Sequence, residues 1–303
     1  MSMIQVNQTA NGRPVELYYQ DMGSGHPVIL IHGWPLTHAM WEYQFMPLTH
    51  NGSRVISYDR RGFGMSDQPA EGYDYNTLAD DLKGLIDGLE LDNVTLVGFS
   101  MGGGEVARYL ARHHAHRVSR AVFVSAVTPM MLKSDDNEDG VDKEVFTKMY
   151  ESLQKDRFDF LSTFGKQFYG ESMLKDAVSK DTLTWTQTLA TMASPIATLK
   201  CLESFSMADF RADLATIQVP TLIVHGKADK TVPLDASGKR TAAMLPFADF
   251  KVYDDAPHAL VITHKDQFNA DLLALLSMTQ SQSTPVQRPS MDSTAPIQST
   301  SWH

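Results

Sequence analysis

The chain has 303 residues, 43% of them hydrophobic, with 26 Lys and Arg against 36 Asp and Glu, a formal charge of −10 with histidines neutral. That length can bury a full core in one large α/β domain, with or without an inserted subdomain, and a lone Cys201 rules out a disulfide framework. The acidic balance repels nucleic acid and anionic lipid, and neither a basic-then-apolar leader nor an apolar run near the ~18 residues of a membrane helix stands in the chain, so a cytoplasmic protein with no nucleic-acid or membrane partner is expected.

Residues 4–21 place Asn11-Gly12 between alternating apolar runs, which predicts a tight hairpin at an antiparallel edge, since both residues tolerate positive φ. Short continuous apolar runs follow: Val28-Ile29-Leu30-Ile31, Val55-Ile56-Ser57-Tyr58, Val94-Thr95-Leu96-Val97, Ala121-Val122-Phe123-Val124 and Leu222-Ile223-Val224. Strands buried on both faces read this way. Between them, residues 77–89 carry Leu78, Leu82, Leu85, Ile86 and Leu89 on one helical face, and residues 102–113 carry Val106, Ala107 and Leu110. Alternating strands and helices predict a mostly parallel sheet with helices on both faces, an α/β architecture.

The alternation lapses over residues 129–219, where helical periods run on and Phe146, Phe158, Phe160, Phe164, Phe168, Trp185 and Phe205 accumulate. A helical insertion over the sheet, acting as a lid, is expected between core segments 1–128 and 220–277. Its acidic lead-in, residues 135–144, reads as a solvated loop because the spacing does not match a calcium-binding loop. A last helix is predicted over 265–276, capped by Thr263 with Asp266 three residues on. Residues 278–303 are rich in Ser, Thr, Gln and Pro and are expected to be disordered.

Gly98-Phe99-Ser100-Met101-Gly102 has the form G-x-S-x-G. By chance such a match occurs in roughly one chain in ten of this size, so its position matters more than its presence. It ends one apolar run and opens a helix, the strand, tight turn and helix that expose a nucleophilic serine. A serine hydroxyl needs an imidazole to take its proton and a carboxylate to orient that imidazole. Downstream, Asp229 follows the predicted strand 221–225 and His258 follows the predicted strand 250–253, in the chain order this arrangement requires. Asp254 and Asp255 remain alternatives to Asp229. His32 reads as a loop brace because it precedes the nucleophile. His113, His114 and His116 suit a helix C-terminus and are spaced wrongly to converge on one metal ion. Two backbone N–H donors must face the developing oxyanion: Met101, directly after the nucleophile, and Trp34, in the loop after the strand at 28–31. Pro35 restricts the Trp34 backbone to extended conformations, which bears on where the Trp34 carbonyl points.

His32-Gly33-Trp34-Pro35-Leu36, Asp59-Arg60-Arg61-Gly62-Phe63-Gly64-Met65-Ser66-Asp67, the run from Gly98 through Glu105 to Tyr109, and Asp255-Ala256-Pro257-His258 together resemble the cofactor-free bacterial haloperoxidases of the α/β-hydrolase fold, also described as aryl esterases and perhydrolases. The resemblance covers about residues 1–277 and implies the eight-stranded sheet of that fold. It implies an acyl-serine enzyme that hydrolyses small esters and, given hydrogen peroxide and a short carboxylic acid, forms a peracid that oxidises halide without metal, haem or other cofactor. It further implies a proline after the oxyanion-loop tryptophan that favours peroxide, the Trp34 carbonyl accepting a hydrogen bond from it. The pocket it implies is formed by Trp34, Pro35, Phe99, Val127, Phe164, Phe168, Phe205, Thr231 and Leu234. The Ala259-Leu260 pair, where an aromatic often follows the base, departs from the pattern. Family members commonly form oligomers, so the resemblance leaves room for a homo-oligomer. Amide, lactone or γ-lactam cleavage would use the same machinery, and a low-turnover ligand receptor is the reading from another class.

Overall fold

The computed structural model describes residues 2–171 and 177–277. The tail 278–303, expected to be disordered, lies outside the described residues. The strands are β1 (Ser2–Gln8), β2 (Pro14–Gly23), β3 (His26–Ile31), β4 (Ser53–Tyr58), β5 (Val94–Phe99), β6 (Val118–Val124), β7 (Thr221–Gly226) and β8 (Asp249–Tyr253). The helices are α1 (Glu42–His50), α2 (Tyr75–Gly88), α3 (Met101–Arg112), α4 (Lys143–Lys155), α5 (Arg157–Tyr169), α6 (Lys180–Thr191), α7 (Pro195–Met207), α8 (Arg211–Leu214), α9 (Gly238–Met244), α10 (Leu260–Thr263) and α11 (Lys265–Ser277). No helix among the described residues is long and apolar enough to cross a membrane.

The strands form one sheet in the order β1-β2-β4-β3-β5-β6-β7-β8, antiparallel at β1/β2 and β2/β4 and parallel from β4 onward. Every residue of β5 and β7 is buried. Each Val, Leu or Ile taken fully from water contributes about 1.5–3 kcal/mol, which is why runs without alternation settle at the sheet's centre. After β3 the chain moves outward to β4 and then returns to the other side of β3 as β5. The carboxyl ends of β3 and β5 therefore diverge, and open sheets of this kind bind ligands in that crevice.

Local details differ from the sequence expectation in three places. The hairpin turn is not a two-residue Asn-Gly turn: Thr9 N–H donates to Arg13 O at 2.8 Å and Gly12 N–H to Thr9 O at 2.9 Å, closing a longer loop in which Gly12 alone has positive φ. Helix α2 begins two residues early because the Asp74 carboxylate accepts from the Asn76 and Thr77 N–H groups at 3.0 and 3.1 Å. Thr263 does not cap α11: it ends α10, and its hydroxyl turns back to the Ala259 carbonyl at 3.3 Å.

Between β6 and β7 the described residues form helices α4 to α8 and no strand of the sheet. Helix α7 docks on the segment 59–73, where Ser194 N–H donates to Gly62 O at 2.8 Å and Ser204 Oγ to Tyr73 O at 2.7 Å. The acidic lead-in is pinned rather than simply solvated: Asp136 meets Arg211 at 2.6 Å and its carbonyl accepts from Arg240 at 3.3 Å.

Candidate active site

Ser100 stands at the turn between β5 and α3 with φ +54° and ψ −118°, a conformation that costs a non-glycine residue about 1–3 kcal/mol. The turn is held by Ser100 N–H donating to Val124 O at 2.8 Å and by Gly103 N–H donating to Ser100 O at 3.0 Å. Both flanking glycines are required by close approach. A Cβ on Gly98 would lie 2.4 Å from Gly102 O, and one on Gly102 would lie 2.6 Å from Ile31 O. The strain thus serves to thrust the Ser100 side chain clear of its own helix.

Loops after β7 and β8 bring Asp229 and His258 to that side chain. His258 Nε2 lies 3.0 Å from Ser100 Oγ, and His258 Nδ1 lies 2.6 Å from Asp229 Oδ2. Asp229 Oδ1 accepts from the Thr231 and Val232 N–H groups at 2.9 and 2.8 Å, so both carboxylate oxygens are engaged. All three side chains are buried. The two carboxylates weighed against Asp229 point elsewhere: Asp255 pairs with His264 at 3.1 Å and Asp254 with Lys227 at 3.4 Å.

Burial alone would push the Asp229 carboxyl up, but the His258 ring, and hydrogen bonds from His225 and His258, hold it well below the usual carboxylate range. The folded chain therefore takes up this proton less readily than the unfolded one. The stability it contributes is complete above the ordinary carboxylate pKa of about 3.9 and is lost as pH falls through the native value. Asp229→Asn should accordingly flatten the acid side of a urea-midpoint profile between about pH 5 and pH 2. A profile parallel to the parent's would remove this carboxylate as a source of acid lability.

The loop after β3 lies against the serine, a Cβ on Gly33 falling 3.1 Å from Ser100 Cβ. Among the described residues neither the Trp34 nor the Met101 backbone N–H meets an acceptor: neighbouring bonds run from Gly33 N–H to Met40 Sδ at 3.5 Å and from Leu36 N–H to Gly33 O at 3.0 Å, and Met101 opens α3, whose first N–H groups have no intrahelical partner. The Trp34-Pro35 peptide is cis. The Trp34 indole N–H donates to Thr198 O of α7 at 2.9 Å, tying this loop to the helical insertion.

Beneath the loop, His32 is fully buried. Its Nε2 accepts from Arg60 N–H at 3.0 Å while Nδ1 contacts Gly33 O at 2.9 Å. Burial, then the Arg60 charge, hold its pKa well below the ordinary value, so it stays a neutral brace. Arg60 also donates to His32 O at 2.9 Å and to Glu105 Oε2 at 2.8 Å, and the Tyr58 hydroxyl closes on the other Glu105 oxygen. The 59–67 motif thus braces the loop after β3 that carries Trp34. Among the other histidines, His113 pairs with Asp80 at 3.0 Å and His116 accepts from Arg117 at 3.1 Å.

Trp34, Phe164 and Phe205 pack with ring centroids 5.3 and 5.6 Å apart, and Phe168 meets the His258 ring at 5.1 Å. Phe99 has no exposed surface and lies against His258, 4.9 Å from its ring, rather than facing open space. Val127 N–H reaches Ser100 O at 3.3 Å. The Thr231 hydroxyl has no partner among the described residues, and Leu234 is buried on the same loop. A small depression of about 10 Å³ lies between α5, α6 and the loop after β3, bordered by Pro35, Phe164, Gly165, Phe168 and Thr186 among others. A wider surface depression between residues 9–15 and 67–71 touches none of these residues.

Sequence reasoning missed His225. It is fully buried, donates from Nε2 to Val232 O at 2.9 Å, and has the same nitrogen 3.5 Å from Asp229 Oδ2. A histidine ending a buried strand four residues before the acid was the available signal. Glu105 was legible only as a lone acid in a helix that is otherwise buried nearly all round.

A family profile described as alpha/beta hydrolase fold matches residues 26–265. The chain is 41% identical to the non-heme chloroperoxidase CPO-A1 of Kitasatospora aureofaciens, over 87% of this chain and 96% of that one. It is 37% identical to the bifunctional esterase/perhydrolase DCH of Acinetobacter calcoaceticus, over 86% of this chain and 96% of that one. The crystal structure of a bromoperoxidase from Bacillus anthracis superposes with a TM-score of 0.88 at 45% identity, covering 91% of this chain and 99% of that one.

Proposed function

Since the chain belongs to the alpha/beta hydrolase fold family, we propose that it is a serine hydrolase of small carboxylic esters that also carries out perhydrolysis. The observation that carries this reading is the unbroken relay from Ser100 Oγ through His258, at 3.0 and 2.6 Å, to Asp229. Ser100 Oγ attacks the ester carbonyl as His258 Nε2 takes its proton. The oxyanion forms against the Trp34 and Met101 N–H groups, each such donor lowering the barrier by about 2.7–4 kcal/mol. His258 returns the proton to the departing alcohol, leaving an acyl-serine, and Asp229 stabilises the imidazolium in between.

Water activated by His258 then releases the carboxylic acid. If hydrogen peroxide takes that place, the acyl group moves to a peroxide oxygen and leaves as the peracid, regenerating the Ser100 hydroxyl. The free peracid passes one oxygen to bromide or chloride, giving hypohalous acid and the carboxylate, so the acid is recycled and the oxidant is the peroxide. The helical insertion over the site acts as its lid.

Bromination of a dye with peroxide should proceed in acetate and fall to background in a buffer free of carboxylates. Equal rates in the two buffers would eliminate the peracid route. Pro35→Leu should lose most peroxide-dependent turnover while keeping ester hydrolysis, because the Trp34 carbonyl that would receive peroxide is no longer restricted by proline. Unchanged selectivity would return Pro35 to a purely stiffening role.

A further inference from the structure

His225, near the end of β7, has no exposed surface, and its two ring nitrogens meet different surroundings. Nε2 lies 2.9 Å from Val232 O, which can only accept, so this nitrogen carries the ring proton. Nδ1 is buried without a partner among the described residues, and the start of α9 approaches so closely that a Cβ on Gly238 would lie 2.7 Å from it. An apolar side chain of similar size would leave no nitrogen unpaired, so filling space does not account for the imidazole.

The Nε2 contact falls on the loop that carries the acid. Val232 offers its carbonyl to His225 while its N–H donates to Asp229 Oδ1 at 2.8 Å. The first half of this loop is fastened to β8 and the residues after it, by Lys227 N–H to Tyr253 O at 2.9 Å and Ala228 N–H to Ala256 O at 3.1 Å. The half after Asp229 is held by the exposed Gln167 amide at Lys230 O, 3.3 Å away, and by His225. Nε2 also stands 3.5 Å from Asp229 Oδ2, the oxygen that His258 Nδ1 meets at 2.6 Å.

We propose that His225 is a positioning residue for the reaction: by closing the acid loop onto its own strand through Val232, it fixes the direction of the Asp229 carboxylate and so the aim of the His258 ring at Ser100. This rests on the acyl-serine reading above. The donor at Nε2 does the work, and ring volume does not. Glutamine can bring an amide N–H to the place of Nε2, asparagine is one carbon too short to reach Val232 O, and leucine fills the space without a donor.

The test compares the parent protein with His225→Gln, His225→Asn and His225→Leu on p-nitrophenyl acetate, with kcat expressed per serine that takes up fluorophosphonate so that unfolded molecules do not count. His258 serves both formation and hydrolysis of the acyl-serine, so a misdirected ring slows both steps and KM, which depends on their ratio, moves little. In His225→Leu and His225→Asn, kcat should fall about 10- to 100-fold with KM within about threefold of the parent's, and the labelling rate should fall in parallel. His225→Gln should keep kcat within about threefold of the parent's. A fall in kcat of less than about fivefold in both His225→Leu and His225→Asn overturns the proposal, as does a loss carried by KM alone. If His225→Leu does not fold, the two amides decide: kcat at least about threefold higher in His225→Gln than in His225→Asn supports the proposal, and a smaller ratio overturns it. A parent protein that hydrolyses no ester and takes no fluorophosphonate label would instead bring down the underlying acyl-serine reading, and this proposal with it.

Discussion

Ser100→Ala should hydrolyse a chromogenic acetate ester at least about 10⁴-fold more slowly than the parent and should take up no fluorophosphonate. The size follows from how such a relay works. Its members act as a unit, so removal of the nucleophile forfeits nearly everything except the oxyanion donors and substrate binding, which alone leave a residual of about 10³–10⁴ over water. Folding should be little changed. The hydroxyl is one small group, and the left-handed φ of +54° is disfavoured for alanine as for serine. Intact-mass measurement after labelling separates loss of chemistry from loss of structure. A variant that retains comparable turnover, or that is labelled at a different residue, would show that another group makes the covalent bond.

The second large effect concerns a pair that touches no substrate. Glu105→Leu should destabilise the fold by about 3–5 kcal/mol, because Arg60 is buried and loses its carboxylate partner at 2.8 Å. The Tyr58 hydroxyl loses its acceptor as well. Burial, reinforced by Glu105, already keeps Tyr58 protonated to well above its ordinary pKa, so it remains a donor without a partner in the variant. In a domain of this size the expected fall in melting midpoint is about 6–20 °C. Arg60→Met combined with Glu105→Leu should restore much of the lost stability, since no charge is then left buried alone. It should not restore full kcat, because the Arg60 guanidinium also holds the His32 carbonyl at 2.9 Å in the loop that carries Trp34. A single-variant loss below about 1 kcal/mol would remove this pair's role in stability, and full activity in the double variant would remove its role in holding the His32 carbonyl.

The features legible in the chain were those whose causes are local. Two glycines around a serine, at the end of an apolar run and the start of a helix, can be recognised because the steric demand of the turn falls on Gly98 and Gly102 themselves. Uninterrupted Val, Ile and Leu marked the central strands because burial on both faces removes any reason to alternate. Even there, neighbours decided the ends. Asp74 started α2 early, and the Thr9 and Arg13 backbones closed a longer hairpin loop than Asn11-Gly12 suggested.

The order Ser100, Asp229, His258 and the pairing of each with a strand's carboxyl end were determined by the sequence itself, since spacing along the chain and strand propensity carry that information. Which acid the histidine uses, how Arg60 reaches Glu105 across 45 positions, why Trp34 is anchored to Thr198 across 164, and that His225 backs Asp229, were decided only by tertiary structure. Contacts between distant positions depend on how buried surfaces pack and which polar groups must find partners once water is gone, and no periodicity along a single chain records that choice.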